Sequence, residues 1–129
     1  MIAQSAQEPP KKIQQLGSAK AGVGHWRMQR VTAVLLVPLV LWWVASLIAH
    51  VGSGYAGVIH WLSKPAAAVL TILLLLVLFR HTALGLQVIV EDYVHCAGLK
   101  WLAVLAIRTA CTLLVIVGVL SIMSIALNA

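Results

Sequence analysis

One stretch, Arg80 to His95, holds two of the chain's five histidines and two of its three acidic side chains. Wound as a helix at about 100° per residue, His81, Gly85, Val88 and Asp92 fall on one face. That face offers an imidazole, a position without a side chain, and a carboxylate. At about 1.5 Å of rise per residue, Asp92 lies roughly 16 Å along the axis from His81. With Asp92 at the water interface, His81 reaches the middle of a hydrocarbon layer about 30 Å thick. An imidazole there can ligate a metal, pass a proton or bond a neighbouring helix. A titratable group at that depth is costly to insert, so it marks a functional site.

Cations accompany it. Arg80 lies ten residues inside the second apolar run and Arg108 seven residues inside the third. Inserting each costs about 2.5–3.5 kcal/mol, and no acidic residue of this chain is predicted at their depth. Long stems let arginines snorkel to the surface. Otherwise a bound anion or an acid of a partner subunit meets them. A haem would supply both missing parts, iron for His81 and propionates for the cations, with Gly85 leaving a smooth face one turn away. Hydrogen bonding between helices is the commoner role for a lone intramembrane histidine, and that reading stays open. His25, His50, His60 and His95 all fall near the ends of apolar runs, so a second axial ligand has to come from another chain. Cys96 and Cys111 form neither a CxxC pair nor a zinc spacing. They read as small packing residues.

These residues need a frame, and composition names its class. Of 129 residues 62% are hydrophobic and 9% charged, where a soluble domain carries about a quarter charged. The chain reads as an all-α integral membrane protein, too short to add a soluble catalytic domain. Its net charge of +6 sits mostly in the first thirty residues. So few cations just before a span read as a topology signal and exclude nucleic acid as the partner.

Residues 1–30 are expected to form a cytoplasmic segment, its polar part to residue 24 a mobile tail carrying Pro9-Pro10. It matches neither a signal peptide nor a mitochondrial presequence. Residues 31–129 are expected to form three transmembrane helices, over about 31–50, 66–90 and 101–127. Trp26, Arg27 and Arg30 suit the headgroup level. Pro38 interrupts the first span, and Lys64-Pro65 opens the second. The 51–65 connection has room for a short interfacial helix around Val58–Leu62. A polar turn is expected from Glu91 to Lys100, and Ala106 with Ala110 makes a small-residue pair suited to close helix contact. Five of nine basic residues precede the first span and none follows the third. The amino terminus is therefore expected in the cytoplasm and the carboxyl terminus in the periplasm. Asp92 and Tyr93 then lie on the cytoplasmic side.

Taken together, His81, Gly85, Gln87 and Asp92-Tyr93 resemble the second-helix signature of the hydrophobic membrane anchor subunits of succinate dehydrogenase, respiratory complex II. Arg30-Val31-Thr32-Ala33 is similar to the opening of that family's first helix. The resemblance implies a b-type haem shared with a second, cytochrome b-type anchor subunit, each of the two giving one axial histidine, here His81. It implies Arg30 near the haem propionates; Arg80 and Arg108 have no firm family role, and their candidacy for that contact rests on their depth. It implies a ubiquinone site near the cytoplasmic surface, where Tyr93 hydrogen-bonds a quinone oxygen beside Asp92. Its further partners would be the iron–sulfur and flavoprotein subunits and the lipids of the bacterial inner membrane. On this reading the chain alone is not catalytic. One alternative is the anchor of a quinol:fumarate reductase. Two more come from other classes. One is a transporter or proton relay using Arg80, His81 and Asp92, for which inverted repeats are missing; the other is a cofactor-free assembly protein.

Overall fold

A computed structural model describes the chain from Lys12 to Asn128, with side chains from Gly22 onward. Helix α1 spans Lys12–His50, a single 3₁₀ turn Val51–Ser53 follows, and α2 spans Gly54–Ser63. Then come α3, Pro65–Tyr93, and α4, Ala97–Asn128. There is no strand among the described residues. Three helical stretches are long and apolar enough to cross a membrane, as the all-α membrane reading expects.

Two boundaries differ from expectation. The first helix does not begin after a loose tail: α1 runs unbroken from Lys12 and has 39 residues. At about 1.5 Å per residue it is nearly twice as long as a hydrocarbon layer is thick. The cause is local. No proline stands between Lys12 and Pro38, and Lys, Gln, Leu and Ala between them favour helix. Gly17, Gly22 and Gly24 weaken the helix without ending it. Residues 12–30 therefore extend the first span as a rod. The tail reading of residues 1–11, Pro9-Pro10 included, lies outside the described residues.

The second difference is at the turn between α3 and α4. It shrinks from Glu91–Lys100 to Val94–Cys96, because nothing from Val90 to Tyr93 breaks the helix. Val94 N–H still donates to the Val90 carbonyl at 3.0 Å. Lys100 Nζ reaches back across the turn to the Glu91 carbonyl at 3.0 Å. A lysine there satisfies a free carbonyl at a helix end and meets its partial negative charge. At the other end of the bundle, α2 covers the expected interfacial segment and extends it both ways. Gly54, at φ +65°, makes the left-handed step into α2 that a side chain would oppose. Pro65 opens α3, where its missing N–H is not needed.

Helix α3 is the middle of the bundle. It packs against α1 and against α4, while the backbones of α1 and α4 do not come close to each other among the described residues. Its buried positions are Ala67, Ala68, Thr71, Leu74, Val77, Ala83 and Leu84, whereas α4 buries only Ile122. The short α2 closes one end through Trp61, which is buried. Its ring lies 6.0 Å from Trp42 and stacks at 5.3 Å on His50. The close approach of α3 and α4 is at Gly118, where an added Cβ would stand 2.8 Å from Leu75 Cδ1. The expected contact pair, Ala106 and Ala110, is exposed. The covered stripe of α4 runs through Val104, Ile107, Cys111, Val115, Gly118 and Ile122 at helical spacing. Both alanines fall off that stripe.

Candidate functional site

His81 is half-buried on α3, and its Nδ1 lies 2.9 Å from Thr32 Oγ1 of α1. Thr32 is one of two buried polar residues among those described. Its hydroxyl also lies 2.9 Å from the Met28 carbonyl and 3.0 Å from the Gln29 carbonyl, the back-bonding open to a threonine inside a helix. The imidazole is therefore held from one side, and Nε2 makes no hydrogen bond among the described residues. One turn along α3, a Cβ at Gly85 would stand 3.4 Å from Gln29 Nε2. Gln29 thus lies in ordinary van der Waals contact beside Gly85, so α1 stands against part of the face that the sequence reading leaves open.

His25, Gln29 and Thr32 recur at helical spacing and form one polar stripe on α1. His25 Nε2 and Gln29 Oε1 are buried with no hydrogen-bond partner among the described residues. Buried polar atoms without partners cost about 1–3 kcal/mol each, so they mark a surface that a further group completes. In the sequence His25 falls at a span end and Gln29 has no evident role. The signal for both is the four-then-three spacing of polar residues leading to Thr32.

The arginines are not gathered around His81. Arg30 sets its guanidinium over the Trp26 ring, 4.6 Å from the centroid. At about 100° per residue it points to roughly the opposite side of α1 from Thr32. Arg80 and Arg108 line an open cavity of about 380 Å³ with Leu76, Phe79, Ala83 and Cys111. That cavity lies between α3 and α4, on roughly the opposite face of α3 from His81 and Gly85. Arg108 Nη2 donates to Gln87 Oε1 at 2.8 Å, and Gln87 Nε2 donates to Glu91 Oε1 at 2.6 Å. A neutral amide therefore relays between a cation on α4 and a carboxylate at the end of α3. In the sequence Gln87 is only part of a signature, and Glu91 has no assigned role.

Asp92 and Tyr93 close α3 and are both exposed. They share the helix with His81, so the axial separation of about 16 Å follows from the helical rise. Neither lines the cavity at the turn, which is bounded by Glu91, His95, Ala97, Lys100, Trp101 and Val104. Among the described residues no cluster of three or more His, Cys, Asp or Glu could hold a metal ion. A metal centre on His81 is therefore not built from three such side chains of the described residues.

A family model described as succinate dehydrogenase/fumarate reductase transmembrane subunit matches residues 4–115. The chain belongs to this family. The hydrophobic membrane anchor subunit of succinate dehydrogenase from Rickettsia bellii is 30% identical over 97 residues, covering 75% of this chain and 78% of its own length. The subunit of the same name from Rickettsia typhi is 25% identical over 111 residues, 86% of this chain and 89% of the relative. That from Rickettsia prowazekii is 25% identical over 104 residues, 81% and 83% of the two chains. No solved structure matches the chain. The matched part of this succinate dehydrogenase-type anchor holds every contact described around His81, Arg108 and Tyr93. The three long helices make it a multi-pass protein of the bacterial inner membrane.

Proposed function

We propose that the chain, with a second anchor subunit, holds the flavoprotein and iron–sulfur subunits of a succinate:quinone oxidoreductase to the membrane and forms part of its quinone-reducing site. The catalytic oxidation of succinate belongs to the soluble subunits, and electrons reach ubiquinone through this membrane part. The family description spans both directions of the reaction; the names of the relatives favour succinate oxidation.

The observation that carries the proposal is the Thr32–His81 contact, inside the family-matched region. A b-type haem is the cofactor proposed, and the feature that fits it is His81, bonded at Nδ1 with Nε2 free of hydrogen bonds among the described residues. An imidazole bonded at Nδ1 leaves Nε2 as the nitrogen that can ligate, the division of labour that metal-bound histidines share. Bound there, a haem would supply one-electron transfer between the soluble subunits and quinone. His81 would give one axial ligand and the cytochrome b-type partner the other. The resemblance assigns Arg30 to a propionate; from its place over Trp26 it would have to swing round α1 to reach one, giving up a contact worth only about 0.5–1 kcal/mol at an exposed site. Arg80 and Arg108 do not take that role, because they line the opposite groove.

Quinone is the substrate of the site proposed at the cytoplasmic end of α3. Tyr93 donates its phenolic hydrogen to a quinone oxygen while its ring packs on apolar surface. A donor already in place is worth more as that oxygen gains negative charge. Asp92, one residue back, orients this hydroxyl or passes protons from the aqueous side.

The test is the reduced-minus-oxidised absorption spectrum of the purified membrane complex. Wild type should show b-type bands, and His81→Leu should abolish or strongly shift them without impairing membrane insertion, since Leu is the more favourable residue in a bilayer. An unchanged spectrum would make His81 a packing residue and remove the main support.

A further inference from the structure

Thr32 faces His81 with an oxygen whose single proton is already committed. A hydroxyl has one donor and two acceptor sites. The Met28 and Gln29 carbonyls can only accept, and they lie 2.9 Å and 3.0 Å from Oγ1. If the proton pointed at His81 instead, Oγ1 would face two carbonyl oxygens at hydrogen-bond distance with no hydrogen between them. Thr32 is only 5% exposed, so water cannot readily relieve that repulsion, and a low local dielectric strengthens it. The proton therefore lies between Oγ1 and the two carbonyls. The lone pairs of Oγ1 remain for His81 Nδ1 at 2.9 Å, and Nδ1 must be the protonated ring nitrogen.

We infer that Thr32 is a positioning residue that locks His81 in the Nδ1–H tautomer and leaves Nε2 as its only ring lone pair. This rests on the proposed role of His81 as a haem ligand and adds what prepares it for that role. In a neutral imidazole the hydrogen bond made by one nitrogen decides which nitrogen is free to ligate. The contact also fixes the ring's rotation, since Thr32 and His81 are β-branched and ring side chains on two packed helices. Donation from Nδ1 makes the ligand more basic, and losing such a partner typically costs about 10–100-fold in metal affinity. A more basic ligand favours the oxidised iron, so removing the acceptor should raise the haem's midpoint potential.

Thr32→Val keeps the shape and removes the hydroxyl; Thr32→Ser keeps the hydroxyl and removes the methyl. Both are compared with wild type in the purified complex by haem content and by potentiometric titration of the b-type bands. Expected is a raised potential in Thr32→Val, by about 59 mV for each tenfold loss of preference for oxidised iron, with Thr32→Ser close to wild type. An unshifted Thr32→Val, or equal shifts in both variants, overturns the inference, because the residue then acts through packing alone. The ¹⁵N spectrum of histidine-labelled, haem-depleted wild-type complex reads the tautomer without the haem. The His81 signal is identified by its loss in His81→Leu. A protonated Nδ1 supports the inference and a protonated Nε2 overturns it, including where Thr32→Val fails to assemble. A wild-type complex without b-type bands would defeat the haem reading by itself, and the ¹⁵N spectrum would still decide the tautomer.

Discussion

Replacing Tyr93 with Phe separates the chemistry of the proposed quinone site from the stability of the chain. Tyr93 is 79% exposed and is the last residue of α3. Its hydroxyl makes no hydrogen bond among the described residues, so the folded chain loses nothing that holds it together. An exposed substitution of this kind changes stability by no more than about 0.5 kcal/mol. The effect on turnover is of another size. A hydrogen bond to an oxygen that becomes charged contributes about 1.5–3 kcal/mol. At about 1.4 kcal/mol per decade, quinone reduction should fall roughly ten- to a hundredfold in kcat/KM. Two assays on the same assembled complex decide the matter: succinate oxidation coupled to ubiquinone, and succinate oxidation coupled to a dye that takes electrons from the soluble subunits. The first should fall and the second should stay near wild type. If both fall together, the variant has damaged assembly and the stability argument is wrong. If neither falls, Tyr93 is an aromatic anchor at the membrane surface.

Two further predictions follow from charge placement. A periplasm-active reporter fused after Ala129 should be active and one fused at Val94–Cys96 silent; the reverse pattern would invert the chain and move the quinone site to the other side. Gln87→Leu strands Arg108 on an apolar groove, and should destabilise the reconstituted complex by about 0.6 kcal/mol, the average for hydrogen bonds between membrane helices, and by no more than about 1.7. Adding Arg108→Leu should restore thermal stability, since removing both members of a polar pair is often neutral or better. A double variant less stable than the single one would show that Gln87 is not what holds Arg108.

The parts of the fold legible in sequence were those fixed by composition and period. An apolar run of twenty or more residues has to be a helix in a bilayer, because its backbone has no other partner there. Helices α3 and α4 were therefore expected almost to their ends. The start of α1 was not legible in the same way. Its first turns are polar and contain glycines, so hydropathy is silent there, while helix propensity without a proline is a weak signal that carries over a long stretch. His81 stood out because it is titratable at depth. Thr32 did not, because a threonine at a helix start looks ordinary until a partner helix sets an imidazole 2.9 Å from it. The Ala106–Ala110 pair misled for a related reason: small residues permit close contact, but the rotation of α4 chose Gly118 instead.

The arrangement of α3 leaves surfaces that the proposed partner would complete. Its two packed faces are already in use, one by α1 at Thr32 and Gln29, the other by α4 at Gly118 and Arg108. Since the backbones of α1 and α4 do not come close to each other among the described residues, the side of α3 between them is open. The strongest helix packing thus falls on one central helix, with His81 in its middle and Tyr93 at its end. Large apolar side chains along α1 and α4, such as Val34, Leu41, Leu114 and Leu120, stay exposed. Lipid tails can cover those. They cannot satisfy His25 Nε2 or Gln29 Oε1, because hydrocarbon offers no hydrogen bond and leaves the desolvation cost in place. No polar group among the described residues meets them, so a further group has to arrive along the same stripe of α1 that holds His81. On the proposed function, a second anchor subunit docked on that stripe would bring both an axial histidine and the missing hydrogen-bond partners, so that completing the ligand set and completing the buried polar surface become one event.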